Sequence, residues 1–103
     1  LMEKQRCIRA DEITKNMLVH ALREVFRQEN ENGTPVEVTK NLLLRLAYHD
    51  GKKLFLDEEE YKKAVQALNG LRDGFIQNGR YTDGIDIVLM KVMRSKYKRC
   101  AAR

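Results

Sequence analysis

Apolar residues recur along the chain at steps of three and four. Ile13, Met17, Leu18, Ala21, Leu22, Val25 and Phe26 share one helical face, and Arg23, Glu24, Arg27 and Gln28 fill the opposite side. The spacing predicts a helix over 11–30. Asp11 is its N-cap, and Asn30-Glu31-Asn32-Gly33 stops it, because Asn and Gly tolerate the left-handed conformation that ends helices. Val38, Leu42, Leu43, Leu46 and Ala47 predict a second helix over 35–49, with Thr34 and Glu37 spaced as a capping box and Pro35 in the first helical position. Tyr61, Ala64, Val65, Leu68, Leu71, Phe75 and Ile76 predict a third over 58–77, opened by Asp57 and Glu60. Gly70 and Gly74 mark either a break near Asn69-Gly70 or a close helix crossing. Ile85, Val88, Leu89, Val92 and Met93 predict a fourth over 83–95, capped by Thr82 or Asp83.

Four helices with short connections imply an all-α single small domain over 1–93, packed as a bundle or orthogonally. Leu54-Phe55-Leu56 has room to be a short extended piece. A rival pattern makes Asp50-Gly51 a hairpin turn pairing Leu44–Tyr48 with Lys53–Leu56, but the leucine spacing and the capping box favour the helix. The last apolar stripe stops at Met93. A helix carried further would place Lys96 and Arg99 on the side of Ile85 and Val92, where unpaired charge is not stable. Residues 94–103 are therefore expected to project from the core.

Charge sharpens this picture. The chain has 103 residues and a net charge of +5, yet residues 1–90 carry 14 basic against 15 acidic side chains. The whole surplus lies in the last 13 residues: Lys91, Arg94, Lys96, Lys98, Arg99 and Arg103, with no acidic residue among them. A near-neutral body with one cationic end is a different object from a uniformly basic protein. The length suits one domain. No apolar run approaches a membrane span, and Glu3–Arg9 is too charged for a signal-peptide core, so a cytoplasmic protein without a membrane partner is expected.

Little in the sequence has the spacing of catalysis. Cys7 and Cys100 form no CxxC, and with His20 and His49 they match no zinc pattern, so neither a metal site nor a terminal disulfide is expected. His49 and Asp50 are adjacent, which turns them about 100° apart on a helix rather than into an orienting pair. Asp57–Glu60 reads as helix capping, not as a calcium loop. The glycines precede no phosphate-binding Lys-Ser or Lys-Thr. No cofactor and no catalytic residue is implied, and an enzyme is the least supported class.

The cationic end remains. On a helix, Lys91, Arg94 and Lys98 fall within about 60° of each other, with Tyr97 beside them to stack on a base and Lys96, Arg99 and Arg103 adding donors. The expectation is a small non-enzymatic nucleic-acid-binding accessory or regulatory protein that lays a basic C-terminal helix on phosphates. The alternative is a protein-interaction module, an inhibitor or assembly factor of phage or mobile-element type, docking on an acidic partner surface with Met90, Tyr81 and Phe55 as anchors. A homodimer is compatible with either.

Overall fold

The computed structural model describes residues 2–101, and the side chains of residues 4–98. The elements run β1 (Met2–Arg9), α1 (Glu12–Asn32), α2 (Glu37–Ala47), β2 (Lys53–Leu56), α3 (Glu58–Gln77), α4 (Asp83–Met93) and β3 (Lys96–Ala101). Four helices fall where the apolar periodicity places them. The domain is predominantly helical but not all-α, because three strands form an antiparallel sheet in the order β2-β1-β3.

Helix starts and stops follow local chemistry. Asp11 accepts from the Thr14 amide at 2.8 Å, and Gly33 closes α1 with φ +70°, a region that favours glycine. Asp57 and Glu60 form the reciprocal capping box on α3, each side chain accepting the other's backbone amide, at 2.8 and 3.0 Å. The Thr34 box does not form. Thr34 turns back to α1, its amide and hydroxyl both donating to the Glu29 carbonyl at 3.0 and 3.3 Å, and α2 starts after Val36 without a side-chain cap. Both bonds hold Thr34 on the end of α1, which turns its hydroxyl away from the start of α2.

α3 is unbroken through Gly70 and Gly74, and a Cβ at either would meet nothing within 4 Å. The glycines therefore serve neither a break nor a close crossing within the chain. The extended reading of Leu54–Leu56 holds as β2, but its partner is β1 and not Leu44–Tyr48, most of which lies in α2.

The core draws on every layer: Leu18, Leu22 and Val25 of α1, Leu42 and Leu46 of α2, Ala64 and Leu68 of α3, Ile85, Val88 and Val92 of α4, and Ile8, Leu54 and Leu56 from the sheet. Ion pairs tie the elements together. Lys63 of α3 reaches Glu29 of α1 at 2.8 Å, Arg72 of α3 reaches Asp86 of α4 at 2.7 Å, and Arg45 of α2 bonds both Glu60 and the Phe55 carbonyl.

The end of α4 departs most from the sequence reading. The helix stops at Met93, Arg94 caps it, and the Ser95 hydroxyl donates to the Val92 carbonyl at 2.6 Å. Residues 96–101 then form β3 along β1, with Arg6 opposite Tyr97 and Cys7 opposite Lys96. The basic end is thus a sheet strand and not a projecting helix. The cause is the conflict visible in the sequence: a continued helix would bury Lys96 and Arg99, whereas a strand lets successive side chains alternate between faces.

Candidate nucleic-acid interface

Opposite residues of an antiparallel pair share a face, so the register sorts the sheet's side chains. Arg6, Ile8, Leu54, Leu56 and Tyr97 face the helices. Cys7, Arg9, Lys53, Phe55, Lys96 and Lys98 occupy the outer face. There Arg9 and Lys53 stand directly opposite each other, both exposed, and Lys96 and Lys98 are exposed on β3. With strands about 4.8 Å apart and alternate residues about 6.8 Å apart, the four cations span an area roughly 10 by 14 Å. Among the described side chains none of the four has a carboxylate within ion-pair distance. Half-buried Phe55 shares the face with Lys53, and half-buried Cys7 is a free thiol lying between Phe55 and Lys96.

The inner face carries a different cluster. The Arg6 guanidinium lies 3.8 Å from the Tyr61 ring centre and 4.7 Å from that of Tyr97. Its Nε donates to Glu58 at 3.2 Å and its Nη1 to the Ser95 carbonyl at 3.3 Å. The Tyr97 hydroxyl donates to the same Glu58 carboxylate. That hydrogen bond, followed by the Arg6 charge, holds the Glu58 carboxyl below its usual range, and the carboxylate in turn pushes the Tyr97 hydroxyl up. The cluster clasps β3 to α3.

The residues predicted for the site are thereby separated. Lys96 and Lys98 lie on the outer face. Tyr97 lies on the other face, engaged with Arg6 and Glu58 and half exposed. Lys91 stays on α4, where its ammonium donates to Thr14 Oγ1 at 2.7 Å and contacts Asp11 at 3.4 Å. The Thr14 hydroxyl and amide, with Lys91 behind them, bring the Asp11 carboxyl down to about 2. Arg94 is an exposed cap residue. Arg99 is paired in register with Lys4, its side chain lying outside the described residues, as does Arg103. The helical stripe of Lys91, Arg94 and Lys98 does not exist, because the chain changes from helix to strand between Arg94 and Lys98.

Arg9 and Lys53 were not legible as site residues. Their signal is positional: the Leu54-Phe55-Leu56 run marks a strand, and only pairing it with Met2–Arg9 brings the two cations together. The other candidates stay apart. His20 is exposed on α1, while His49 Nε2 donates to the Lys53 carbonyl at 2.8 Å and secures the turn before β2. Among the described residues no three His, Cys, Asp or Glu side chains group as metal ligands, and no helix is long and apolar enough to cross a membrane. Comparison with known proteins gives no match to a family model, a curated protein or a solved structure.

Proposed function

We propose that this chain is a small non-enzymatic nucleic-acid-binding accessory or regulatory protein, and that its contact surface is the outer face of the sheet. The observation that carries the reading is the Arg9–Lys53 pair. Like charges directly opposite each other destabilise a sheet, and here no described carboxylate offsets them, while Lys96 and Lys98 extend the same sign across β1. A polyanion offsets that repulsion by replacing condensed counterions with fixed ammonium and guanidinium groups. Phe55 on the same face offers a ring to a base, which favours single strands over duplex.

Fluorescence anisotropy with labelled single-stranded and duplex oligonucleotides tests the proposal. Binding at low salt is expected, with log K falling against log salt at a slope of about −3 for single strands if four phosphates are neutralised. The combined Arg9→Gln, Lys53→Gln, Lys96→Gln, Lys98→Gln variant is expected to lose most of it, and Phe55→Ala to narrow the preference for single strands. Equal binding by the folded quadruple variant would sink the proposal.

A protein partner is the second reading. Ile87 is 67% and Met90 41% exposed on α4, and they line a shallow depression with Arg94. A stoichiometric protein retained through nuclease and high salt would favour it.

A further inference from the structure

The outward side of α4 carries a line of four residues. Ile85, Val88, Leu89 and Val92 are buried in the core. On the opposite side Asp83, Ile87, Met90 and Arg94 fall within about 60° of one another at 100° per residue. All four are exposed, and Ile87, Met90 and Arg94 line the same shallow depression. Among the described residues, neither the Asp83 nor the Arg94 side chain has an ion-pair or hydrogen-bond partner. The other charges of α4 are engaged within the chain: Asp86 with Arg72 and Thr82, Lys91 with Thr14 and Asp11.

The stripe reads acid, apolar, apolar, base, and reversed it is its own complement. Two such helices laid antiparallel about a twofold axis, level with the midpoint between Val88 and Leu89, set Asp83 of each copy opposite Arg94 of the other. The same operation sets Ile87 opposite Met90. From Asp83 to Arg94 the helix rises about 16 Å, so an opposite-charge pair closes each end of one apolar centre. A contact of this kind uses the same patch on both chains and is closed at two copies. Parallel helices would instead bring Asp83 against Asp83 and Arg94 against Arg94, which like-charge repulsion disfavours.

We infer that α4 packs antiparallel on α4 of a second copy of this chain, forming a weak twofold dimer. Charge complementarity favours a second copy over another protein, because the stripe itself supplies the acid and the base that it needs, at matching distances from its centre. The apolar centre is small, so a dissociation constant on the order of 0.1 mM is expected. The inference stands on α4 alone and does not depend on what the sheet binds.

Sedimentation equilibrium of the intact chain from about 10 μM to about 1 mM tests it. A reversible monomer to dimer transition is expected. Asp83→Arg and Arg94→Asp should each weaken it roughly tenfold or more, because symmetry makes each change act twice and turns attraction into repulsion. An equimolar mixture of these two variants should associate about as tightly as the unsubstituted chain, since the mixed dimer regains both opposite-charge pairs. Ile87→Lys should abolish the dimer by placing charge in its apolar centre. A chain that stays monomeric throughout overturns the inference and leaves the face to a different protein. A dimer whose affinity either charge change leaves unaltered, or a mixture no tighter than its components, overturns it as well. If the charge variants do not fold, Ile87→Lys and Met90→Lys decide: weaker association in both supports the pairing, and unchanged association in either overturns it.

Discussion

Arg6 stacks on Tyr61, bonds Glu58 and reaches the Ser95 carbonyl, so one side chain joins β1 to α3 and to the turn that begins β3. Its partners include two ring faces and a carbonyl, and a compact ammonium cannot reproduce that planar fork. Arg6→Ala is expected to cost about 2 kcal/mol in urea unfolding, with Arg6→Lys recovering little. Tyr97→Phe removes one half-exposed hydrogen bond and should cost less than about 1 kcal/mol. Asp11 gives a pH signature. Its carboxyl falls from 3.8 to about 2 in the folded chain, so its contribution is complete above the unfolded value and is lost as pH falls through the folded one. Unfolding curves between pH 5 and 2 should show that loss, and Asp11→Asn should flatten it.

Among the helices, α3 runs unbroken through two interior glycines. Gly70 and Gly74 lie in its interior with open space where side chains would be. Gly70→Ala and Gly74→Ala should each raise stability by about 0.4–1 kcal/mol by restricting the unfolded chain. Gly33→Ala should act the other way, by about 1 kcal/mol or more, because φ there is +70°. Thermal melts of the three variants check both signs. Helices were legible because their apolar stripes are long and their ends carry Asp11, Asp57 and Gly33. The sheet was not. In β1 the inward position next to Ile8 is Arg6, so the alternation that would announce a strand is broken by a charge whose partners, Glu58 and Tyr97, are distant in sequence. Charge set the basic end apart, and the burial conflict at Lys96 was visible, but a strand needs a pairing partner, and none could be named without β1.

At the level of the whole molecule, two cations of the basic end, Lys96 and Lys98, share one side of the sheet with Arg9 and Lys53, which come from elements outside the cationic tail. This changes how the function must be tested. Cutting the chain before Lys96 removes cations and also strips a strand from β1, leaving Arg6 without Tyr97. Loss of binding in such a truncation says nothing about charge. Charge-neutral substitutions on the outer face keep the pairing and are expected to reduce affinity while leaving the unfolding midpoint nearly unchanged, or slightly raised where Arg9 faces Lys53. Measuring both quantities on the same variants separates a contact surface from a structural one.

β1 is the middle strand, and Arg6 meets Ser95 across 89 residues of chain. Closing so long a loop is slow compared with helix formation and packing. The order of assembly follows: helical packing and the β1–β2 pair can form first, and the β1–β3 ladder last. Amides of β3 should then exchange with solvent through a partial opening while those of α1 and α3 remain protected. The cationic surface is thereby tied to completion of folding, so a chain stalled before β3 docks holds its helices together yet presents no organised face to a polyanion.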